Sequence, residues 1–323
     1  MMRVVFLGCG RIARRHAKLL RRHRRDVSVG FASRDGARAQ AFARELGGTA
    51  YAGYDAALAA ADVDAVAIVT PPASHKELAL AALGAGKHVV LEKPPLPHAR
   101  DFDEVGALAG RAGKQVFVAE NYQYKPLLRR VRALLADGAI GDVLFVHVNA
   151  IKLQQLPADD WRDDPALALG GSLYEGGIHW IDFMASLGLD VRRVAGMRPA
   201  LATGARVERS MLVSFEYAQG AVGTLQYSWE VPSTARGLRL SKIYGRRGAI
   251  TFETNGLWLL CHGTKTRFYL GLRDVAGYRA MWADFVRAWT TNTQPQMTLA
   301  RARRDLELVE QAYASATATQ EAS

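Results

Sequence analysis

The feature that most constrains this chain lies in its first dozen residues. Arg3-Val4-Val5-Phe6-Leu7 is an apolar run that stops at Gly8-Cys9-Gly10-Arg11-Ile12-Ala13, where helical periodicity begins at once. A short buried strand feeding a Gly-x-Gly-x-x-Ala turn that opens a helix is the first unit of a dinucleotide-binding domain. Gly8 admits the tight turn, and Gly10 keeps a side chain away from the approach of a pyrophosphate. Ala13 holds the helix close to the strand. Arg11 and Ile12 start the helix whose free N–H groups and positive dipole end receive the phosphates. A bare glycine pattern also occurs in ordinary strand-to-helix turns; the strand before it and the helix after it favour the nucleotide reading.

That reading predicts further α/β alternation, and the chain supplies it. Residues 26–33 alternate like a strand and end about 20 residues after the glycine turn, where a ribose-reading side chain belongs. An acid there favours NAD. The chain instead has Ser33-Arg34-Asp35 with Arg38 one helical turn later, and guanidinium groups beside a serine suit a 2′-phosphate. NADP(H) is therefore favoured, while Asp35, turned inward, leaves NAD(H) open. Helices are expected over 37–46 and 54–61, with a short strand at 49–51 between them. The apolar run 64–70 reads as a parallel strand covered on both faces. It ends in Thr70-Pro71-Pro72, ahead of a helix over 74–83 that contains His75 and has Ser74 as N-cap. Strand 87–91 runs into Glu92-Lys93-Pro94-Pro95, helix 98–112 follows, and strand 115–119 ends at Glu120-Asn121-Tyr122. This order predicts a doubly wound parallel sheet over 1–122, whose ligands sit at the carboxyl ends of the strands. Thr70, Glu92, Lys93, Glu120 and Asn121 fall there. Lys93, pinned between an acid and prolines, is placed to polarise a carbonyl or hold a hydroxyl.

From residue 124 the pattern changes. An amphipathic helix over 126–137 precedes a long alternating strand to Ile151, and shorter alternating stretches follow at 206–217, 221–229, 238–244, 249–253, 257–260 and 267–270. Glycine turns at Gly220, Gly248 and Gly263 mark hairpins, so 123–323 is expected to hold a mixed, largely antiparallel sheet with one exposed face. Helices are expected over 278–289 and 299–314, and 315–323 reads as a frayed tail.

Within this second domain, Trp161-Arg162 precedes Gly170-Gly171-Ser172-Leu173-Tyr174-Glu175-Gly176-Gly177-Ile178-His179-Trp180-Ile181-Asp182. The glycine pairs are expected to loosen the backbone before a helix running to about Leu187. Glu175, His179 and Asp182, at i, i+4 and i+7, then share one helical stripe. A carboxylate beside an imidazole fixes its orientation, which suits a proton donor. A lone helical histidine is more often a packing residue; two flanking acids favour catalysis. No further His or Cys lies nearby, so a metal is not expected.

Composition removes other classes. The formal net charge is +11, but much of the excess sits in Arg11, Arg14, Arg15, Lys18, Arg21, Arg22, Arg24 and Arg25, opposite a packed face of Ile12, His16, Leu19 and Leu20. No aromatics interleave with these cations, so nucleic acid is not the expected partner. The 2 cysteines, Cys9 and Cys261, do not make a disulfide framework and point to a reducing compartment. No apolar run approaches the roughly 20 residues of a membrane span, and the stretch before Cys9 is too short for a signal core of about 7–15. A cytoplasmic location is expected.

Together the motifs resemble the glucose–fructose oxidoreductase/inositol dehydrogenase/MocA family. The resemblance rests on Gly8 to Ala13, Thr70-Pro71-Pro72 with His75, Glu92-Lys93-Pro94, Trp161-Arg162, and Gly170-Gly171 through His179 to Asp182. It implies a Rossmann domain followed by an α/β domain whose open sheet often mediates homo-oligomers. It also implies oxidation or reduction of one carbinol or ketone on a sugar, sugar derivative or cyclitol. Lys93 and His179 correspond to the family's lysine and histidine, and Trp161-Arg162 to a pair near cofactor and substrate in NADPH-using members. Glu175 stands where many members have aspartate. The expected scheme is hydride transfer with His179 as proton donor and Lys93 on the oxygen, Glu175 and Asp182 positioning His179. Trp161, Arg162, Asn121 and Tyr122 are expected to shape the sugar pocket. A non-catalytic NAD(P)-binding regulator, and a hydrolase or lyase using tightly held NAD, are the alternatives.

Overall fold

The structure, a computed structural model, describes residues 1–157, 160–199, 206–232, 238–271 and 273–321. The chain divides into two units, one of Met1–Glu120 with Tyr278–Arg303, the other of Asn121–Gly277 with the chain from Arg304 onward. The first unit is built on six parallel strands: β1 (Met2–Leu7), β2 (Val27–Ala32), β3 (Thr49–Tyr51), β4 (Ala65–Ile68), β5 (His88–Leu91) and β6 (Val116–Val118). Their order, β3-β2-β1-β4-β5-β6, is the doubly wound arrangement the alternation implies. Val4 to Leu7 and Ala65 to Ile68 are buried throughout, as strands covered on both faces must be.

Helices α1 (Arg11–Leu20), α2 (Gly36–Leu46), α3 (Tyr54–Ala59), α4 (His75–Gly84) and α5 (Asp101–Ala112) connect these strands. α1 buries Ala13, His16, Ala17 and Leu20 and turns Arg11, Arg15 and Lys18 to solvent, so the basic cluster is a helix surface. α4 starts one residue later than expected. Ser74 does not cap it through its side chain; its hydroxyl lies instead 2.7 Å from the Thr70 hydroxyl and 3.0 Å from the Pro71 carbonyl, and its one hydrogen goes to one of them.

A difference from the sequence reading concerns the chain beyond residue 277. The expected continuous domain 123–323 is interrupted, because helix Tyr278–Thr291 (α9 in chain order) belongs to the first unit. The reason is aromatic packing. The ring centroids of Phe285 and Trp289 lie 5.0 and 5.3 Å from that of Phe117 on β6, and Trp282 lies 6.4 Å from Phe6 on β1.

The second unit carries an eight-stranded sheet: β7 (Val143–Ile151), β8 (Val191–Met197), β9 (Ser210–Tyr217), β10 (Val222–Ser228), β11 (Leu240–Gly245), β12 (Gly248–Glu253), β13 (Trp258–His262) and β14 (Arg267–Leu270). The order is β14-β13-β12-β11-β7-β10-β9-β8, antiparallel except for the β7–β10 pair. Its helices are α6 (Pro126–Ala136), α7 (Pro165–Ala168), α8 (Ile178–Ala185) and, from Arg304 onward, α10 (Leu299–Glu321). One face is core: Val146, Val148, Leu225 and Phe252 are buried, and Phe183 of α8 packs 5.7 Å from Phe252. The other face exposes Val222, Phe145 and Tyr244, which sit side by side across β10, β7 and β11. The tail expected from residue 315 is helical through Glu321, because α10 continues; residues 322–323 lie outside the described residues. No helix of the described residues is long and apolar enough to cross a membrane.

Candidate active site

The glycine turn after β1 lies in the first unit. Gly8 adopts φ +110°, and a Cβ there would lie 3.2 Å from the Val69 carbonyl. Gly10 is different: a Cβ would meet nothing within 4 Å. It precedes α1, which has no side-chain cap and no acid in its first turn, so no side chain among the described residues caps the start of the helix. Cys9 is buried beside the Ala32 carbonyl, and burial above all pushes its thiol up to about 11.

At the end of β2, Ser33 is buried while Arg34 and Arg38 are exposed. Asp35 caps α2, its Oδ1 accepting from the Ala37 and Arg38 N–H groups at 3.0 and 3.3 Å. Burial pushes the pKa of the Tyr54 hydroxyl, at the start of α3, up against the pull of the Arg34 guanidinium.

Glu92 ends β5 as a buried carboxylate, and the structure shows what holds it. Its Oε2 accepts the Lys93 N–H at 2.7 Å, and its Oε1 lies 2.9 Å from Nε2 of His16. The Trp282 indole donates to His16 Nδ1 at 2.9 Å. An indole N–H can only donate, so Nδ1 is the acceptor and Nε2 carries the hydrogen that Glu92 receives. His75 joins the ends of β4 and β5, Nε2 lying 2.9 Å from the Thr70 carbonyl and Nδ1 2.9 Å from that of Pro94. Burial pushes its pKa down, and a neutral ring donates to only one of these carbonyls. Pro72 is buried; Thr70, Pro71 and Lys93 are half-buried.

In the second unit the aromatic ring of Tyr122 stacks on His179, centroids 4.4 Å apart and planes 10° from parallel. The Lys125 ammonium lies 4.3 Å from the same Tyr122 ring and donates to the Asn255 carbonyl at 2.8 Å. Asn121 is buried and donates to the Ala276 carbonyl at 2.6 Å, while its Oδ1 has no hydrogen-bond partner among the described residues. Trp161 and Arg162 form a short turn. The guanidinium of Arg162 lies 4.4 Å from the Trp161 ring centroid and donates to Glu175 at 3.1 Å and to Asp160 at 3.0 Å. Burial acts to lower the Arg162 pKa, but the Glu175 and Asp160 carboxylates outweigh it and the net shift is upward.

Two sequence expectations about this segment change. Residues Leu173–Gly177 form a π-helical turn and α8 begins only at Ile178, so Glu175 precedes the α-helical repeat that relates His179 to Asp182. Nor do the glycine pairs loosen the backbone. A Cβ at Gly171 would lie 2.2 Å from the Glu208 carbonyl, at Gly176 2.1 Å from the Tyr227 hydroxyl, and at Gly177 2.7 Å from Leu173. Close packing demands glycine there. Asp182 is fully buried; its Oδ1 accepts from the Ser186 hydroxyl at 3.2 Å and lies 4.0 Å from Arg304. Helix α8 ends at Ala185, short of Leu187.

In the first unit an uncapped helix start after an unobstructed glycine suits nucleotide binding, and in the second a half-exposed imidazole held by stacking suits proton exchange. Comparison with known proteins agrees with the first of these. The model of an oxidoreductase family with an NAD-binding Rossmann fold matches residues 2–120, and that of the GFO/IDH/MocA C-terminal domain matches residues 128–251. A D-xylose 1-dehydrogenase (NADP(+)) of Haloferax volcanii is 31% identical over 295 residues, covering 90% of this chain and 89% of that one. The chain belongs to the GFO/IDH/MocA oxidoreductase family. A dTDP-3,4-didehydro-2,6-dideoxy-alpha-D-glucose 3-reductase of Streptomyces violaceoruber is 34% identical over 259 residues, 78% of this chain and 72% of that one. The crystal structure of a Thermotoga maritima oxidoreductase superposes with a TM-score of 0.87 over 98% of this chain and 96% of that one; at 23% identity this is a likeness of fold.

Within this GFO/IDH/MocA oxidoreductase, motif reading passes over His16, Trp282, Glu208 and Tyr313. His16 is legible only as a packed helix position, and its indole donor lies 266 residues away. Glu208 and Tyr313 belong to no recognisable spacing, since most of the groups they meet are backbone N–H groups, which every residue but proline carries.

Proposed function

We propose that the chain is an NADPH-preferring oxidoreductase that interconverts a ketone and a secondary hydroxyl on a sugar, sugar derivative or cyclitol. The observation that carries this reading is Gly10: no packing among the described residues asks for glycine there, whereas a phosphate approaching the uncapped start of α1 does. The residues present fit a dinucleotide, with Gly8, Gly10, Arg11 and Ile12 at the pyrophosphate and Ser33, Arg34 and Arg38 at the ribose. Thr70, Pro71 and Pro72 line the nicotinamide half, with His75 and Glu92 fixing the strand ends. Two features favour the 2′-phosphate. Asp35, the acid that would read a 2′-hydroxyl, caps α2, and the Haloferax relative is named for NADP(+).

A bound nicotinamide supplies or accepts the hydride. His179 exchanges the proton with the substrate oxygen, its ring plane set by Tyr122. Lys93 donates a hydrogen bond to that oxygen, from a backbone fixed by Glu92. Glu175, restrained by Arg162, and Asp182, from within α8, hold the imidazole's surroundings, while Asn121, Tyr122, Trp161 and Arg162 contact the sugar. The exposed apolar row of Val222, Phe145 and Tyr244 supports a homo-oligomer through the sheet face.

The test is turnover of NADP+ and NAD+ with D-xylose, D-glucose, glucose 6-phosphate and myo-inositol, and of NADPH and NADH with keto-sugars. His179→Ala should lower kcat by about 100-fold or more; turnover within a few-fold of the parent removes the imidazole from proton transfer. Arg34→Ala should weaken NADPH by about tenfold, a lost charge-assisted hydrogen bond, and spare NADH. Equal loss for both cofactors overturns the ribose reading.

A further inference from the structure

The start of the π-helical turn presents four consecutive backbone N–H groups, those of Gly171, Ser172, Leu173 and Tyr174, and none is satisfied by a side chain of its own segment. Helix starts ordinarily leave such donors to a local cap or to water. Here two residues remote in sequence take all four. The Glu208 carbonyl accepts from Ser172 at 2.7 Å, and Glu208 Oε2 accepts from Leu173 at 3.2 Å. The Tyr313 hydroxyl accepts from Gly171 at 3.1 Å and from Tyr174 at 3.2 Å.

The two residues are also joined to each other. Tyr313 donates its hydrogen to Glu208 Oε2 at 2.7 Å, and the Ser172 hydroxyl donates to Glu208 Oε1. A phenol has one hydrogen and two lone pairs, so the Tyr313 hydroxyl is used completely. Gly171 sits so close that a Cβ would lie 2.2 Å from the Glu208 carbonyl, which ties the glycine pair to this contact. The neighbour of Glu208 extends the same hold: Arg209 donates to Asp163 at 2.8 Å, fixing the turn from which Arg162 reaches Glu175 at 3.1 Å.

The geometry points to Glu208 and Tyr313 as positioning residues for the reaction: they set the register of the turn that carries Glu175 and leads into His179, without touching substrate themselves. The inference rests on the assignment of His179 as proton donor, given above. It makes the last long helix, α10, part of the catalytic apparatus through a single hydroxyl.

Tyr313→Phe removes that hydroxyl and leaves the Gly171 and Tyr174 N–H groups without acceptors. The measurement is kcat with the best sugar of the panel, beside the Kd for NADPH from fluorescence titration and the Tm of the full chain. A tenfold or greater fall in kcat is expected, with the Kd for NADPH within about twofold of the parent and the protein folded at the assay temperature. Glu208→Gln, which keeps the shape and turns one acceptor into a donor, should do the same, and serves alone if Tyr313→Phe does not fold. Parent-like kcat in either folded variant overturns the inference. So does a parallel loss of kcat, NADPH binding and Tm, which would assign the pair to stability only. His179→Ala separates the two claims: if it is inactive while Tyr313→Phe is silent, only the positioning role fails, and if His179→Ala is active, the proton-transfer assignment itself is withdrawn.

Discussion

Replacing His16 with leucine puts an apolar side chain of similar bulk on α1 and deletes both ring nitrogens. The N–H of Trp282, a residue about 1% exposed, then loses the His16 acceptor at 2.9 Å, and the buried Glu92 Oε1 loses the hydrogen bond from His16. An unsatisfied buried neutral donor costs about 1–3 kcal/mol, and a carboxylate deprived of a partner about as much or more, so His16→Leu should cost about 3–6 kcal/mol. Trp282→Phe alone removes the donor together with its demand and leaves only His16 Nδ1 bare, at about 1–3 kcal/mol. In the double variant the stranded indole and the bare Nδ1 are both gone, so the two costs should combine to roughly 2–6 kcal/mol less than their sum. Urea unfolding followed by far-ultraviolet circular dichroism reads all three. In a heating scan the single change should lower Tm by about 6–20 °C. A His16→Leu cost under about 1 kcal/mol, or costs that add within about 0.5 kcal/mol, would refute the relay from Trp282 through His16 to Glu92.

Gly176→Ala places a methyl 2.1 Å from the hydroxyl of buried Tyr227, which itself accepts the Trp229 indole N–H at 3.1 Å and cannot swing aside freely. Overpacking of about 1–3 kcal/mol is expected in thermal unfolding, and parent-like stability would show that the glycine answers to something other than space. Glu208 supplies a pH signature. Burial pushes its carboxyl above the ordinary carboxylate value, against hydrogen bonds from Ser172, Tyr313 and Leu173. A folded pKa above the unfolded one gives stability that is complete below the unfolded pKa and lost as pH rises through the folded pKa. The parent should therefore lose stability relative to Glu208→Gln as pH rises from about 4 towards neutrality. A difference that stays flat or grows in the parent's favour would show that the hydrogen bonds, not burial, govern this carboxyl.

Much of this molecule can be read from linear order. The apolar run into Gly8 and Gly10, the spacing of the later strands and the placement of Thr70, Glu92 and Lys93 at their ends follow from local pattern, because parallel strands buried on both faces leave long apolar signatures. The mixed second sheet is legible for the same reason, through alternation and glycine turns. The π-helical turn is not. Four glycines in eight residues, 170–177, suggest freedom when their neighbours are unknown, and in the fold each of Gly170, Gly171, Gly176 and Gly177 is crowded by a neighbouring residue.

The sequence by itself determined the class of fold, the family and the glycine turn that opens α1, since each depends on residue type at short spacing. Only the tertiary structure decided what holds the candidate side chains. The partners of Glu92, of residues 171–174 and of α9 are a histidine, a carboxylate, a phenol and aromatic rings brought from far along the chain. A hydrogen bond or ring contact depends on distance in space, and long-range closure leaves no periodic mark on the chain that carries it.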